Sequence, residues 1–316
     1  MAGGEFLKNA LNNIERYYNQ EASVCERVSA NISEAAEITA ARIARMLRGK
    51  KFFPVEDFRE ELSAAPFVNA VVSDLVIEEN RTLAEAKLST DEGVYVAEFC
   101  SKLTYALRSA AKFRPAPALF LDRGGDGEKN GGVSFVTGEL FSDVFSLFQK
   151  KLSALKAAPA RSFLDACEAV VSGESEYCIL PLENSRDGIL LTFLSMMERY
   201  ELLIARVAEV SGAEGALTRY ALLCQDFRSI IDSTGNQYIA IRLSGLDETL
   251  LPKLFAAVPV LGVRLIKTVS VPLGYTDGYA HICTFGGGDS ALFSLLLFLN
   301  LIRADYTLKG IYELIS

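Results

Sequence analysis

The run Tyr177-Cys-Ile-Leu-Pro-Leu182 is entirely apolar and has the length of a buried β-strand. On its N-terminal side, Gly132–Val136 predicts another short strand and residues 141–148 predict an amphipathic helix. On its C-terminal side, residues 191–197 predict a helix and residues 202–210 a strand. Such alternation is typical of a parallel α/β sheet that binds ligands at the carboxyl ends of its strands.

The last third of the chain follows a different order of elements. Its apolar runs predict four strands and two helices, with the strands at 238–243, 263–271, 278–285 and 308–314 and the helices at 248–258 and 291–302. The order β-α-β-β-α-β is the split βαβ, or ferredoxin-like, plan.

The N-terminal part ends at a glycine-rich stretch, Arg123-Gly-Gly-Asp-Gly-Glu-Lys-Asn-Gly-Gly132, which predicts a flexible connection or an exposed hairpin tip. Before it, apolar residues such as Ile38, Ile43 and Leu47 recur at helical spacing. The sequence therefore predicts an α/β chain (α+β overall) with three domains, namely a helical domain over 1–113, an α/β lobe over 133–228 and a ferredoxin-like domain over 236–316.

Composition excludes several classes of protein. Half of the residues are apolar and 23% are charged, as in a globular protein. There are 32 lysines and arginines against 40 aspartates and glutamates, so the formal charge is −8, and this balance indicates neither a nucleic-acid nor an anionic-membrane partner. The longest apolar stretch, residues 290–302, is well short of the ~20 residues of a membrane span. Because no basic-then-apolar signal pattern is present, we expect a cytoplasmic protein.

The cysteines and the histidine limit the kinds of metal binding, disulfide formation and catalysis that the sequence predicts. The six cysteines are scattered without a C-x-x-C pair, which predicts neither a zinc site nor a disulfide framework. Most of them lie among apolar residues and are expected to be small buried hydrophobes. The one histidine, His281, lies in a mostly apolar run, where we expect a half-buried strand residue without a catalytic role. We therefore expect no metal and no cofactor.

Three short motifs resemble those of prephenate dehydratases. Glu183-Asn184-Ser185 follows the central strand with its proline, as in that family, and Thr218-Arg219-Tyr220 is similar to the family's Thr-Arg-Phe. Phe141-Ser142-Asp143 is similar to the end of the family's opening glycine-rich motif. The resemblance implies a single periplasmic-binding-protein-like lobe with Thr218 as the catalytic proton donor. It also implies substrate contacts from Ser142, Glu183, Asn184, Ser185 and Arg219.

The chemistry of prephenate suits these residue types. Prephenate carries two carboxylates and loses carbon dioxide and water, so its site needs anion-holding donors and a proton donor. Asn184 and Ser185 are predicted at a strand-to-helix turn that can hold a carboxylate, and Arg219 can pair with one bidentately. The alternative is that Asn184 and Ser185 cap the helix beginning near Gly188 and that Arg219 forms a surface ion pair.

One departure from the family concerns the enclosure of the site. Prephenate dehydratases carry a second lobe before the Thr-Arg-Phe motif, whereas here only seven residues separate Val210 from Thr218. The wall that would exclude water is not encoded at this place. Either the N-terminal helical domain or a second subunit supplies it, or the dehydratase chemistry has been lost.

The ferredoxin-like unit resembles the ACT domain that follows many such dehydratases. Residues 262–272 fit that domain's Gly…Glu-Ser-Arg-Pro segment, with Val269 and Val271 in place of the glutamate and arginine. The resemblance implies an amino-acid effector site and a homodimer formed through this unit. The matching effector positions are Thr249, Leu250, Leu251 and Ser270.

The N-terminal helices have about the length of a chorismate mutase domain. Pro54-Val-Glu-Asp-Phe-Arg-Glu60 is similar to a segment of that family. The resemblance implies a mutase site that includes Arg48, Arg59 and Glu60. The alternative is a solvated basic helix face beside an Arg-Glu ion pair.

Two hypotheses follow from these resemblances. The first is an enzyme of aromatic amino-acid (phenylalanine) biosynthesis that acts on chorismate or prephenate, as a chorismate mutase (isomerase) or a prephenate dehydratase (lyase). The second is a catalytically decayed regulator that binds a small aromatic, dicarboxylate or amino-acid ligand, or a partner protein.

Overall fold

The computed structural model describes residues 29–45, 84–111, 131–152, 154–212, 215–226, 237–244, 250–272 and 279–316, together with Arg16, Glu26 and Pro117. The fold is a mixed α/β fold, as the sequence predicts. Its helices are α1 (residues 29–45), α2 (Ala84–Ala111), α3 (Glu139–Lys151), α4 (Phe163–Val171), α5 (Leu191–Arg199), α6 (Leu250–Leu261) and α7 (Asp289–Leu301). Its strands are β1 (Gly132–Val136), β2 (Lys156–Ala160), β3 (Tyr177–Asn184), β4 (Gly188–Ile189), β5 (Leu203–Ser211), β6 (Leu217–Cys224), β7 (Gln237–Leu243), β8 (Arg264–Pro272), β9 (Tyr279–Gly287), β10 (Tyr306–Tyr312) and β11 (Leu314–Ile315).

These strands form a single sheet in the order β2-β1-β3-β6-β5-β10-β7-β9-β8, with β4 paired to β3 and β11 to β5. Strands β2, β1 and β3 are parallel, whereas β3, β6 and β5 are antiparallel. The prediction of a parallel sheet is therefore wrong for this part of the lobe. The physical reason is the connection between β5 and β6, which is a tight hairpin in which Ser211 pairs with Leu217, and a hairpin joins antiparallel strands.

The C-terminal unit has the predicted β-α-β-β-α-β order, formed by β7, α6, β8, β9, α7 and β10. All neighbouring strands of this unit are antiparallel. The chain then leaves the unit, because β11 pairs in parallel with β5 of the lobe.

Strand β10 joins the lobe to the C-terminal unit, since it pairs with β7 on one side and with β5 on the other. At this junction Gly310 pairs with Ile204. A Cβ atom added at Gly310 would lie 2.7 Å from both the Cβ and the carbonyl oxygen of Ile204. A glycine is required here because only a residue without a side chain allows the two backbones to approach so closely. The predicted domain boundaries at 113, 133–228 and 236–316 stay predictions.

Three apolar cores fix the helices on the sheet. In the first core, α1 and α2 pack with α6 and α7 against one face of the C-terminal unit. In the second, α4 and α5 pack on the sheet face that carries Leu182 and Val207. In the third, α3 packs on the opposite face of the lobe, with Tyr220. Helix α7 is buried on all sides, since residues 292–300 are all buried, and all of them except Ser294 and Asn300 are apolar. In the parts of the chain that the structure describes, no helix is long and apolar enough to span a membrane.

Candidate functional site

The Glu-Asn-Ser and Thr-Arg-Tyr motifs lie side by side in the sheet. Strand β3 pairs with β6 so that Glu183 is opposite Arg219 and Asn184 is opposite Thr218. Residues that are 34 or more positions apart in the sequence thus meet at one end of two neighbouring strands. The topology brings together the motif residues that the sequence analysis singles out on β3 and β6.

Neighbouring residues of β6 nevertheless point to opposite faces of the sheet, as in any strand. Tyr220 contacts the ring of Phe141 on α3 at 5.2 Å between centroids, so Thr218, two residues away, shares that face. Arg219 lies on the other face, where it lines a cavity together with Leu182 and Val207. We call these the Thr218 face and the Arg219 face. The expectation that Thr218 and Arg219 act on one substrate stays a prediction.

On the Thr218 face, the motif residues bond to one another and to the backbone. Asn184 donates from Nδ2 to Thr218 Oγ1 at 3.1 Å, and its Oδ1 accepts from the amide of Arg186 at 2.8 Å. Ser185 Oγ accepts from the amide of Leu217 at 3.0 Å, while the amide of Ser185 donates to the carbonyl of Leu217 at 2.8 Å. The amide groups predicted to hold a carboxylate are therefore already bonded.

The capping alternative is also wrong for Asn184 and Ser185. Gly188 belongs to β4 rather than to a helix. Helix α5 starts only at Leu191, and its N-cap, Leu190, has no side-chain hydrogen bond. The two motif residues instead stabilise the turn that follows β3 and its contact with the start of β6.

Ser142 lies on α3, on the side of the sheet that carries the Thr218 face. Its side chain is exposed, and its hydroxyl donates to the carbonyl of Gly138 at 3.3 Å. The next residue on its N-terminal side, Phe141, supplies the ring contact with Tyr220. The structure thus places the helix of Ser142 against this face.

The Arg219 face carries a network of four charged side chains, Glu183, Glu209, Arg219 and Lys267, which we call the junction cluster. Arg219 donates from Nε to Glu209 at 2.8 Å and from Nη1 to both oxygens of Glu183 at 3.4 Å. Lys267 Nζ donates to Glu183 Oε2 at 2.8 Å. The Arg219 side chain is 37% exposed, so its ion pair is half-buried rather than on the open surface.

The charges of the junction cluster shift the pKa values of its members. Desolvation raises the pKa of Glu183, but the hydrogen bond and charge of Lys267 and the charge of Arg219 outweigh it, so the pKa lies below its ordinary value. For Arg219, desolvation lowers the pKa, whereas Glu209 and Glu183 raise it more. Glu183 and Arg219 are therefore both ionised at neutral pH.

A cavity of about 70 Å³ adjoins the junction cluster. Its walls come from both halves of the sheet and consist of Leu182, Val207, Arg219 and Leu314 from the lobe side and Tyr238, Ile266, Lys267, Thr284 and Tyr312 from the C-terminal unit. The rings of Tyr238 and Tyr312 are stacked, with centroids 5.7 Å apart. Burial raises the pKa of Tyr312, and a hydrogen bond with Thr284 opposes this in part. We call this space the junction cavity.

Sequence reasoning missed the contributions of Glu209, Lys267, Tyr238 and Tyr312 to this region. Lys267 lies 84 residues from Glu183 in the sequence. No local pattern relates the two, because their contact follows from the order of strands in the sheet. The one available signal was the ion-pairing capacity of Glu183 and Arg219 themselves, which require partners when they are half-buried.

The other predicted site residues lie apart from these two faces. Leu250 is buried in the first core at the start of α6, and Leu251 packs against that core. Ser270 on β8 is within 2.9 Å of Nδ1 of His281, which is half-buried on β9 as the sequence predicts. Four predicted residues lie outside the described residues, namely Arg48, Arg59, Glu60 and Thr249.

Two further features of the described residues concern metal ligands and thiols. In the parts of the chain that the structure describes, no group of three or more His, Cys, Asp or Glu side chains could hold a metal ion. The five described cysteines are buried, as their apolar neighbours predict.

No protein-family model and no curated protein matches the sequence. Among solved structures, the chain is similar to the X-ray structure of prephenate dehydratase from Streptococcus mutans, with 20% identity and a TM-score of 0.49 over 58% of this chain and 99% of that one. It is similar to prephenate dehydratase from Arthrobacter aurescens in complex with L-Phe, with 13% identity and a TM-score of 0.45 over 57% and 89% of the two chains. It is also similar to GqqA, described as a novel type of quorum quenching acylase, with 18% identity and a TM-score of 0.42 over 59% and 95%.

Proposed function

We propose that this chain is a ligand-binding regulatory protein whose lobe resembles that of prephenate dehydratases, and that it does not dehydrate prephenate. The observation that carries the proposal is the separation of Thr218 and Arg219 on opposite faces of β6. A proton donor and an anion-holding guanidinium must reach the same substrate to act together. In this chain the sheet itself lies between them.

The connection between β5 and β6 supports the same conclusion. The hairpin closes through a hydrogen bond of 2.7 Å from the amide of Gly212 to the carbonyl of Ala216. Prephenate dehydratases, by the resemblance, have a second lobe at this place. A tight hairpin supplies no wall to exclude water from the Thr218 face.

The enzyme hypothesis requires the N-terminal helices or a second subunit to replace that wall. The described helices of the N-terminal part, α1 and α2, have their core contacts with α6 and α7 of the C-terminal unit. These contacts favour a structural role for α1 and α2 over a role as a lid on the Thr218 face.

A turnover assay tests the proposal. Purified protein is incubated with prephenate, and phenylpyruvate is measured for the wild type and for Thr218→Val. We expect no product above background from either protein. Product from the wild type that is lost in Thr218→Val would contradict the proposal. Disappearance of chorismate, measured in parallel with Arg59→Ala as the control variant, tests the mutase hypothesis for the N-terminal part.

We further propose that the chain forms a homodimer through its C-terminal unit. Strand β8 is the last strand of the sheet that the described residues form, and it pairs with β9 on one side. An edge strand of nine residues offers main-chain groups for pairing with a second copy. Analytical ultracentrifugation checks this, with Thr268→Pro on β8 expected to shift the protein towards the monomer.

A further inference from the structure

The junction cavity is built from the two halves of the sheet. Leu182, Val207 and Arg219 belong to three strands of the lobe, whereas Lys267 and Tyr312 belong to strands of the C-terminal unit. Concave spaces between units, with apolar walls and a few placed polar groups, are where proteins commonly bind small molecules. The junction cavity is therefore a candidate ligand-binding site, and binding there would depend on the contact between the two halves.

Two cations line the junction cavity and retain donors that the cluster does not use. Arg219 uses Nε for Glu209 and Nη1 for Glu183, so its Nη2 group makes no hydrogen bond to any residue that the structure describes. Lys267 makes one described hydrogen bond, to Glu183, although an ammonium group has three donors.

The carboxylates of the cluster are not part of the described cavity wall. Glu183 and Glu209 bond to the two cations but do not line the cavity, and no other acidic residue is found among the described residues of its wall. The two carboxylates hold the cations in place, and the charged residues of the described wall, Arg219 and Lys267, are both cationic. Such an arrangement recognises an anion through charge-assisted hydrogen bonds.

The other wall residues and the volume of the junction cavity limit the polarity and the size of the uncharged part of the ligand. The side chains of Leu182, Val207, Ile266 and Leu314 are aliphatic, and the stacked Tyr238 and Tyr312 rings add an apolar surface. A cavity of about 150 Å³ is known to hold a benzene ring, and this one has about 70 Å³. The comparison favours a carboxylate with a short alkyl group over an aromatic ring.

We propose that the junction cavity binds a short-chain aliphatic monocarboxylate, with the carboxylate against Lys267 and Arg219 and the alkyl group against the aliphatic and tyrosine side chains. This inference rests on the ligand-binding role proposed above. It replaces the aromatic or dicarboxylate ligand expected from the sequence with a smaller ligand. Because the wall includes strands of both halves, the bound acid would stabilise the junction between the lobe and the C-terminal unit.

An NMR titration of the ¹⁵N-labelled chain tests the site at constant ionic strength. Sodium propionate is the probe, propionamide is its neutral counterpart, and sodium benzoate tests the size limit. Lys267→Met removes one cation, and Lys156→Met, at an exposed position on β2, is the matched control. Leu314→Phe fills the cavity while leaving all four charges of the cluster in place.

We expect saturable shifts of amides around the cavity with propionate, and binding at least about tenfold weaker for propionamide, benzoate, Lys267→Met and Leu314→Phe. Lys156→Met should bind as the wild type does. Equal affinities of Lys267→Met and Lys156→Met, or an absence of saturable shifts in the folded wild type, would overturn the assignment. Neither result bears on prephenate turnover, so failure of this site and failure of the proposed lack of dehydratase activity are distinguishable.

Discussion

The two faces of β6 differ in what stabilises them. On the Thr218 face, neutral side chains bond to one another and to a turn, as Asn184 does with Thr218 and with the amide of Arg186. On the Arg219 face, ion pairs connect the lobe to the C-terminal unit, as Lys267 does with Glu183. The first face is organised by local turn chemistry, and the second by contacts between distant parts of the chain.

The comparison shows how little a motif determines by itself. Thr218 and Arg219 are adjacent in the sequence, yet the alternation of a strand assigns them to different surroundings. A motif indicates which residues lie near each other along the strand. It does not indicate that they share a site, because that depends on the face to which each side chain points.

The largest expected loss of stability comes from breaking a second set of ion pairs between the lobe and the C-terminal unit. Glu198 on α5 pairs with Lys309 on β10 and with Arg242 on β7, both at 2.9 Å, and the Lys309 side chain is only 5% exposed. Glu198→Ala would leave two cations without this partner, and we expect a loss of about 3–5 kcal/mol in the free energy of unfolding. Urea denaturation measures it. Glu201→Ala, at an exposed position, is the control, and equal effects of the two changes would contradict the assigned role of the link.

The next largest loss of stability is expected from a change at the backbone contact between Gly310 and Ile204, where the two halves meet. In Gly310→Ala the new methyl group would clash with Ile204, and we expect a loss of about 3 kcal/mol. Gly132→Ala is the matched control because a Cβ there meets its nearest atoms at 3.6 Å, an ordinary contact. The midpoints of unfolding in urea are compared for the two variants. An unfolding midpoint of Gly310→Ala no lower than that of Gly132→Ala would mean that the two halves do not share one sheet.

A smaller effect is expected on the Thr218 face. Thr218→Val keeps the shape of the buried side chain but removes the acceptor for Asn184 Nδ2, which should lower the free energy of unfolding by about 1 kcal/mol. Thr307→Val, at an exposed position on β10, is the control for the change of hydroxyl to methyl in a strand. Chemical denaturation provides the comparison, and an unchanged stability of Thr218→Val would show that the hydrogen bond to Asn184 contributes nothing.

The smallest expected effect is a dependence of the free energy of unfolding on pH, which arises from Glu183 on the Arg219 face. The pKa of Glu183 is lowered in the folded protein from its ordinary value of 4.5. Its ion pairs therefore add stability above that value, and this contribution is lost as the pH falls through the lower folded pKa. We expect the stability difference between the wild type and Glu183→Gln to fall from about 0.5 kcal/mol at neutral pH to near zero in acid.

Denaturation curves recorded across this pH range provide the test. Glu174→Gln, at an exposed position, controls for the general effect of removing one negative charge. If the stability difference for Glu183→Gln stays constant with pH, the ion pairs of the junction cluster do not favour the charged form of Glu183.

Most of the local structure could be predicted from the sequence. Strands β1 and β3 are apolar runs, and the helix α4 ends just before Gly173, whose φ of +78° is readily adopted by glycine. Strand β2 could not be predicted in this way. Its sequence contains Lys156, Pro159 and three alanines, and it has no β-branched or aromatic residue. A proline is tolerated there because β2 lies at the edge of the sheet formed by the strands that the structure describes.

The arrangement of the strands and the site could be predicted only in part. The motifs correctly indicated that Asn184 and Thr218 belong to one region, and the structure places them in contact. The order of strands could not be derived, because the pairing of β10 with β5 depends on the close approach of Gly310 to Ile204. The junction cluster and the junction cavity both follow from that pairing, so neither has a local signature in the sequence.

A double-mutant cycle between Thr218→Val and Arg219→Met tests the central claim most directly. If the two residues occupy opposite faces of β6, their effects on the free energy of unfolding should add to within about 0.5 kcal/mol. The cycle between Arg219→Met and Glu209→Gln, which share a hydrogen bond of 2.8 Å, should show coupling and serves as the positive control. A coupling energy of about 1 kcal/mol or more between Thr218 and Arg219 would contradict the claim and return the two residues to a single site.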